Sequence, residues 1–214
     1  MDREYRNEWN VWELFKLDGK VAVVTGGARN LGYDIALALV EAGADVVITS
    51  RDIKRAECSA NAIHKATNRS VTGLCLDVRN EKDIEAVVDT VLEQFGKIDI
   101  LVNNAGNVTS SPDNAPMERR PLELWQEIID VNLTGVFLCS KHVCAKAMIP
   151  ARSGNIINIA STAGMIGKDR RVYKGTDMGG ATIDYHAAKG GVINMTRDMA
   201  VYLAPYNIRV NAIS

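Results

Sequence analysis

The feature of this sequence that most restricts its fold is a regular alternation of short apolar runs with longer amphipathic segments. Six short runs rich in β-branched residues are predicted strands, at positions 21–25, 45–49, 71–78, 98–103, 155–160 and 207–213. Between them, apolar residues that recur every three or four positions predict helices at 31–42, 52–68, 81–95, 121–149 and 181–203. Strands that alternate with helices form a parallel sheet with helices on both faces, joined by right-handed crossovers. The sequence therefore predicts a doubly wound α/β fold.

One domain over residues 20–214 accounts for this alternation, and residues 1–19 lie outside it as an N-terminal lead-in. Pro150 is expected to stop the long helix at residue 149, because proline interrupts helical hydrogen bonding. In the lead-in, the aromatic residues Trp9, Trp12 and Phe15 share one face if the segment is helical. That spacing is compatible with a short helix that packs on the body or on a partner subunit, and equally with an ordered lead-in.

The composition excludes several classes of function. With 47% hydrophobic and 24% charged residues, the chain has the make-up of a globular protein with a substantial core. A formal net charge of −1 argues against partners such as nucleic acid or a membrane surface. No apolar run approaches the ~18 residues that a membrane span needs. The N-terminus lacks the apolar centre of a signal peptide, so the expected location is cytoplasmic.

Cysteine and histidine spacing predicts neither a disulfide framework nor a metal site. The cysteines are scattered without a CxxC pair, and we expect them to be reduced core thiols: Cys58, Cys75, Cys139 and Cys144. The histidines are never at zinc-ligand spacing from one another or from a cysteine: His64, His142 and His186.

The stretch TGGARNLG, residues 25–32, follows the first predicted strand and opens the first predicted helix. In a βαβ unit this turn points backbone N–H groups at a ligand, and the helix N-terminus favours negative charge. Glycine is needed where the chain turns with positive φ or where a pyrophosphate comes close. Asparagine is one of the few residues with a Cβ that enters the left-handed region readily, so Asn30 can supply a positive φ at the middle position.

The spacing of this loop resembles the TGxxxGxG loop of the short-chain dehydrogenase/reductase family, with Asn30 in place of the middle glycine. Further motifs of that family recur in order along nearly the whole chain. They are Asp77-Val78 after the third strand, Asn103-Asn104-Ala105-Gly106 after the fourth, Asn132 in VNLTG, Ser161 in NIAS, and Tyr185 with Lys189 in YxxxK. The resemblance implies a Rossmann-like NAD(P)-binding domain and an oxidoreductase that acts on CH–OH groups.

The resemblance also implies roles for individual residues. Tyr185 would exchange a proton with the reacting oxygen, and Lys189, one helical turn along, would stabilise its phenolate and hold the nicotinamide ribose. Ser161 would hydrogen-bond the substrate oxygen, and Asn132 would help to hold a water that links Lys189 to solvent. Together with the loop and the strand ends, the expected cofactor-binding set is Gly26, Arg29, Asn30, Leu31, Gly32, Ser50, Arg51, Asp77, Val78, Asn104, Ala105, Gly106, Tyr185 and Lys189.

The end of the second strand, VVITSRD, bears on the choice of cofactor. Folds that select NAD commonly place an acidic residue there for the ribose 2′-hydroxyl, whereas a 2′-phosphate is paired with arginine. Here Ser50 takes the usual acidic position and Arg51 follows, with Arg29 as a second candidate for the same phosphate. The sequence therefore favours NADP(H). NAD(H) stays possible, since a one-residue shift would put Asp52 in the acidic position.

Two stretches depart from the family pattern. Ser161 and Tyr185 are 24 positions apart, and the intervening glycine- and charge-rich sequence predicts a loop beside the catalytic residues. Its basic residues outnumber its acidic ones, which fits either an acidic substrate such as a sugar acid or a solvated loop: Lys168, Arg170, Arg171 and Lys174 against Asp169 and Asp177. The printed sequence stops at RVNAIS, where family members continue into a substrate-covering segment and a last strand, so the resemblance predicts that the domain is incomplete there.

The leading hypothesis is an NADP(H)-dependent oxidoreductase that interconverts a secondary alcohol and a ketone. The lead-in FKLDGKVAVVTGG looks like the gluconate 5-dehydrogenase branch, which suggests a sugar acid or a polyol as substrate. The alternatives are a 3-oxoacyl-[acyl-carrier-protein] reductase and, in another class, a non-catalytic nucleotide-binding protein. The resemblance further implies a homo-oligomer, a tetramer or a dimer, built on the two long helices.

Overall fold

The computed structural model describes residues 10–107, 117–176 and 180–214 of the chain, with the side chain of Arg170 left out. The six predicted strands form one parallel sheet in the order β3-β2-β1-β4-β5-β6. They are β1 (Val21–Val24), β2 (Asp45–Ser50), β3 (Val71–Cys75), β4 (Ile100–Asn103), β5 (Gly154–Ile159) and β6 (Ile208–Ile213). The predicted single-domain doubly wound α/β fold is confirmed.

Five main helices connect these strands. They are α1 (Asn30–Glu41), α2 (Ile53–Thr67), α3 (Glu81–Phe95), α4 (Leu122–Ala151) and α5 (Ile183–Leu203). α4 is one continuous helix that contains two wider π turns, Asp130–Thr134 and Cys144–Met148. All five helices lie where the apolar periodicity predicted them.

Several boundaries differ from the prediction by one to three residues, and two of these differences have a visible physical cause. α4 does not stop before Pro150 but ends at Ala151, with Arg152 in the left-handed conformation. The π turn just before the proline bonds the Ile149 N–H to the Cys144 carbonyl, and this wider turn accommodates the ring. β3 ends at Cys75 rather than at residue 78, because the chain turns there and the Asn80 N–H bonds back to the Asp77 carbonyl at 3.0 Å.

The alternating residues of the central strands divide the core between the two faces of the sheet. In β1, Val21 and Val23 pack with buried residues of α3 and α4, whereas Ala22 and Val24 pack with those of α1 and α2. Strands buried on both faces read as continuous apolar runs, which is why VAVV shows no polar alternation. The sheet is thus enclosed by helices on both faces, and its strand ends remain available for ligands.

The lead-in is a 3-10 turn, Val11–Phe15, capped by Asn10, whose side chain accepts a bond from the Trp12 N–H. Trp12 and Phe15 contact each other at 6.5 Å between ring centroids, and both are largely exposed, at 70% and 65%. The two rings therefore do not pack on the body of the domain. Trp9, the third aromatic residue of the predicted face, lies outside the described residues.

The helix α4 is long and apolar enough to cross a membrane by length and composition alone. Half of its most apolar window is buried inside the fold, against the sheet and α3, as in the core helix of a globular domain.

The prediction that all four cysteines are core thiols is half right. Cys139 and Cys144 are buried, and burial raises the pKa of their thiols to about 12 and about 11. Cys58 and Cys75 are exposed, and all four are free thiols.

The close approach of α2 to β3 predicts a sharp effect of Gly73→Ala. A Cβ at Gly73 would lie 2.5 Å from the Ala56 carbonyl carbon and 2.6 Å from its oxygen, so the backbone of α2 would have to move. We expect the free energy of unfolding to fall by about 1–3 kcal/mol, as for other overpacked cores.

Urea unfolding of this variant is compared with Gly167→Ala, whose added methyl meets no atom within 4 Å. Equal stabilities of the two variants would contradict the close packing of α2 on β3.

Candidate active site

The strand order places a topological switch point between β1 and β4. The chain leaves β1 toward α1 and β2 on one side, and it leaves β4 toward α4 and β5 on the other. Ligands of open α/β sheets bind in the crevice outside the carboxyl ends of the strands at such a point. The loop after β1 and the loop after β4 therefore frame the expected ligand site.

The side chain of Thr25 joins these two loops. Its hydroxyl accepts the backbone N–H groups of Asn104 at 3.1 Å and Ala105 at 3.0 Å, and donates to the Val102 carbonyl at 3.3 Å. In return, the Asn104 amide donates to the carbonyls of Thr25 at 2.9 Å and Gly26 at 3.1 Å. These bonds hold the glycine loop and the Asn-Asn-Ala-Gly loop at one relative position.

The close approach of the two loops explains why the loop after β1 needs glycine. Gly26 has φ +64, and a Cβ there would lie 3.0 Å from the Ala105 Cα, so both its conformation and its surroundings require glycine. A Cβ at Gly32 would overlap the Asn104 amide nitrogen and the Gly26 carbonyl oxygen. Asn30 has φ +48, which confirms the prediction that it supplies the positive φ of the middle position.

A cavity of about 600 Å³ opens between these loops and the end of β2. Every residue in the expected cofactor-binding set lines it apart from Tyr185 and Lys189. Asp52, the acidic alternative at the end of β2, lines it as well, together with six residues that were not expected there, Ala28, Thr49, Arg55, Leu76, Asn107 and Val131. A glycine-lined floor, the N-terminus of α1 and nearby guanidinium groups suit a dinucleotide, whose pyrophosphate needs close backbone approach and positive potential.

Arg55 joins Arg29 and Arg51 among the residues that line the cavity. Arg55 lies in the first turn of α2, three residues after the N-cap Asp52, and this place next to the end of β2 was the signal in the sequence that could have identified it. Asp52 caps α2: one carboxylate oxygen accepts the N–H groups of Lys54 at 3.0 Å and Arg55 at 3.4 Å. One oxygen of the acidic alternative for the ribose hydroxyl is therefore engaged by the first turn of α2, while Asp52 also lines the cavity.

Asp77 also lines the cavity, and its carboxylate has a partner within the chain. Both oxygens accept bonds from the Arg79 guanidinium, at 3.0 Å to Nε and 2.6 Å to Nη2. The hydrogen bond from Arg79 holds the pKa of Asp77 below its ordinary value, so the carboxylate is charged at neutral pH.

Lys189 is the buried cation of the site. It is only 3% exposed, and its Nζ donates to the Ile159 carbonyl at 2.6 Å, at the end of β5. The same Nζ lies 5.6 Å from the centre of the Tyr185 ring, as expected for residues one turn apart on α5. Burial lowers the pKa of Lys189 to about 8. The ammonium can therefore release and regain a proton near neutral pH.

Asn132 approaches the same point from α4. It is fully buried in the first π turn, and its amide donates to the carbonyls of Asn107 at 2.8 Å and Ile128 at 3.0 Å. A Cβ at Gly106 would lie 3.0 Å from the Asn132 Oδ1 and 4.0 Å from the Lys189 Nζ. The two side chains therefore converge on Gly106, at the edge of the cavity.

Ser161 follows β5 and starts the 3-10 turn Thr162–Gly164. Its Oγ accepts the Ala163 N–H at 3.1 Å. The turn packs closely against the backbone of α5. A Cβ at Gly164 would be 2.6 Å from the backbone carbonyl of Lys189, so glycine is required for the turn to lie this close. The turn that starts at Ser161 thereby contacts the helical turn that ends at Lys189.

A network of buried, hydrogen-bonded polar side chains lies behind the site. Of its members, only Asn103 was named from the sequence. The Asn103 amide donates to Ser140 at 3.0 Å and to Asn158 at 2.8 Å, and the Asn158 amide donates to Thr196 at 2.9 Å. Asn103 and Asn158 are register partners of β4 and β5. This hydrogen-bond network links α4, the sheet and α5. Its buried amides are tolerated because they are paired.

The segment between Ser161 and Tyr185 is a loop with two short 3-10 turns, as predicted, in its described part. Arg171 pairs with Asp169 at 2.7 Å, and the Lys168 Nζ lies 4.6 Å from the centre of the Tyr173 ring. Two of the four basic residues are thus engaged within the loop. The side chain of Arg170, and Asp177, lie outside the described residues.

Comparisons with known proteins agree with this arrangement. A family model described as short chain dehydrogenase matches residues 20–214. The chain is 38% identical over 198 residues to a 3-oxoacyl-[acyl-carrier-protein] reductase of Synechocystis sp., covering 92% of this chain and 74% of that protein. It is 34% identical over 202 residues to the 5-keto-D-gluconate 5-reductase of Escherichia coli, covering 94% and 73%. The crystal structure of an NAD+-bound xylitol dehydrogenase superposes with a TM-score of 0.82 at 34% identity, covering 93% and 70%.

The buried ammonium makes stability depend on pH. The pKa of Lys189 is about 8 in the folded protein and 10.5 when unperturbed, so between these values the unfolded chain binds more protons. Stability should therefore rise as pH increases through this interval, because burying the charged form is unfavourable below it. Without nucleotide, Lys189→Met should gain stability relative to wild type at about pH 7 and lose that gain toward about pH 10.

Unfolding free energies in urea, measured across this pH range, test the expectation. Lys65→Met, which removes an exposed lysine of α2, is the control. A stability difference between Lys189→Met and wild type that stays constant with pH would be inconsistent with a buried ammonium.

Proposed function

Because the chain belongs to the short-chain dehydrogenase family, we propose that it interconverts a secondary alcohol and a ketone with NADP(H), using Asn132, Ser161, Tyr185 and Lys189. As a member of that family it is an oxidoreductase that acts on CH–OH groups. We therefore do not adopt the non-catalytic alternative. The observation that carries the proposal is the buried Lys189 beside Tyr185, at the edge of a glycine-lined cavity.

Each residue has a chemical task in this proposal. A bound nicotinamide would supply or accept the hydride. Tyr185 gives its phenolic proton to the ketone oxygen, or takes it from the alcohol, and the adjacent Lys189 ammonium stabilises the phenolate. The Ser161 hydroxyl, whose oxygen already accepts the Ala163 N–H, points its proton at the same substrate oxygen.

Asn132 acts one step further away. Its amide is bonded to backbone groups of Asn107 and Ile128, so it holds the π turn of α4 against the loop after β4. In that position it lines the route by which Lys189 exchanges its proton through water with solvent. The lowered pKa of Lys189 suits this exchange, because a donor with a pKa near the working pH is refilled readily.

The preference for NADP(H) is supported by the charges at the end of β2. Arg51 and Arg55 line the cavity there, Arg29 lines it from the loop after β1, and guanidinium groups bind phosphate well. One carboxylate oxygen of Asp52 caps α2 and leaves only the other for a ribose hydroxyl, which weakens the case for NAD(H). NAD(H) remains the alternative cofactor, in keeping with the xylitol dehydrogenase relative, whose structure contains NAD+.

A sugar acid or a polyol is the proposed substrate, in line with the similarity to 5-keto-D-gluconate 5-reductase. The second candidate substrate is a 3-oxoacyl thioester, favoured by the similarity to a 3-oxoacyl-[acyl-carrier-protein] reductase. We also propose a homo-oligomer, a dimer or a tetramer, that uses α4 and α5. Large apolar side chains exposed on these helices support it, among them Phe137 and Val201.

Replacing the phenolic hydroxyl tests the catalytic assignment. Tyr185→Phe keeps the ring but removes the transferred proton, and should lower kcat by about 10²–10⁴-fold, the usual worth of general acid–base catalysis. NADPH oxidation is followed with 5-keto-D-gluconate, a neutral ketose and acetoacetyl-coenzyme A. Tyr202→Phe, an exposed tyrosine of the same helix, is the control and should match wild type. Full activity of Tyr185→Phe would refute the assignment.

The cofactor preference is tested at the two arginines around the start of α2. Arg51→Ala and Arg55→Ala should each weaken NADPH binding by about ten- to a hundredfold, since each loses a charge-assisted hydrogen bond to the 2′-phosphate. NADH binding should be nearly unchanged. Dissociation constants from calorimetry decide the matter, with Lys54→Ala, an exposed residue of the same turn, as the control. An equal loss for NADPH and NADH would overturn the preference.

A further inference from the structure

A buried ion pair lies next to Tyr185 and was not foreseen in the sequence. Arg120 and Asp184 are 4% and 0% exposed, and the Asp184 Oδ2 accepts bonds from the Arg120 Nε at 2.8 Å and Nη2 at 2.5 Å. The other oxygen, Oδ1, accepts the backbone N–H of Tyr185 at 2.9 Å. Both carboxylate oxygens are therefore used, one by the guanidinium and one by the backbone of Tyr185.

From this geometry we propose that Arg120 and Asp184 are positioning residues for Tyr185, an inference that rests on the function proposed above. The pair determines where the first turn of α5 lies. That turn sets the phenol relative to Lys189 and to the cavity. The two residues contact neither substrate nor cofactor in this proposal, and they act through Tyr185.

The start of α5 needs such support, because the usual cap is missing. Thr182 occupies the N-cap position, but its hydroxyl makes no cap bond and has no hydrogen-bond partner among the described residues, although it is buried. An N-cap side chain normally satisfies one of the unpaired N–H groups of the first turn. Here Asp184 accepts the Tyr185 N–H instead, and its negative charge is favourable at a helix N-terminus.

The pair also connects the two helices that carry the proposed machinery. Arg120 precedes Pro121, the N-cap of α4, and the same helix carries Asn132 in its first π turn. Asp184 is the second residue of α5, which carries Tyr185 and Lys189. A bond between residues 64 positions apart thus ties the beginning of α4 to the beginning of α5.

Stability alone does not explain this arrangement. A buried ion pair is often no better for stability than well-packed apolar residues, because both charges lose their hydration. Two hydrogen bonds from one guanidinium to one carboxylate do, however, define a geometry, because the guanidinium is planar and its donors are fixed relative to one another. Beside a phenol that must meet a reacting oxygen, a small displacement has a large effect on rate.

The test separates rate from cofactor binding in Asp184→Asn and Arg120→Lys. Each should lower kcat by about ten- to a hundredfold, as for a reacting group moved by about 1 Å, while the Kd for NADPH changes by less than about twofold. Turnover is measured with 5-keto-D-gluconate or acetoacetyl-coenzyme A, whichever the wild type reduces faster. Unchanged kcat in folded variants would overturn the proposal.

Asp99→Asn is the matched control. Asp99 likewise accepts one backbone N–H, from Val21 at 2.9 Å, and pairs with Lys20 at 3.3 Å and Lys97 at 3.1 Å. It precedes β4, at the opposite end of the sheet from the cavity. This variant should lose stability with kcat unaltered. An equal loss of kcat in Asp99→Asn would show that general destabilisation, rather than positioning, is responsible.

A double variant covers the case in which the single variants do not fold. Arg120→Met combined with Asp184→Leu leaves no unpaired buried charge and should fold with stability close to that of wild type. Its kcat should still fall about ten- to a hundredfold, and wild-type kcat in the folded double variant would overturn the proposal. Tyr185→Phe, measured in parallel, separates the two hypotheses. If it is inactive while the double variant is fully active, the positioning role fails and the catalytic assignment stands.

Discussion

The site depends on the bonds that Thr25 makes at the junction of β1 and β4. These two strands are neighbours in the sheet although nearly eighty residues separate them, and their loops leave in opposite directions. One hydroxyl with three bonds holds the loops together, and the Asn104 amide returns two more. The glycines at 26 and 32 follow from this closeness, because any Cβ there would strike the opposite loop. The cavity is therefore a consequence of how the strand ends are joined.

The polar groups that this fold buries are concentrated on the side of β4, β5, α4 and α5. Lys189, Asn132, Asn103, Asn158 and Asp184 are all nearly or fully inaccessible there. A buried polar group is unfavourable unless it is paired, and each of these has a named partner within the chain. Both faces of the sheet have apolar cores, but among the described residues the core on the α1–α2 face is not interrupted by such a network of polar side chains.

Much of the fold was predictable because it follows from local patterns. Six strands and five helices were recognised from apolar periodicity, and only their ends were wrong. Pro150 was expected to end α4, but a π turn immediately before it accommodates the ring. Apolar periodicity does not predict such a π turn. It indicates which face of a helix is buried, but not which carbonyl accepts each backbone N–H. β3 was predicted three residues too long for a similar reason. Asp77 begins a turn in which the N–H groups of Arg79 and Asn80 bond back to Asp77.

What the sequence alone determined is the order of elements, the motif residues at the strand ends and the left-handed asparagine at position 30, all of which depend on neighbours along the chain. Only the tertiary structure decided which distant groups meet. Asn132 and Lys189 converge on Gly106, Arg29 and Arg55 line one cavity, and Arg120 reaches Asp184. The physical reason is that a hydrogen bond or an ion pair is chosen by distance in space, and a buried group accepts whichever partner the packing of helices on the sheet brings within reach.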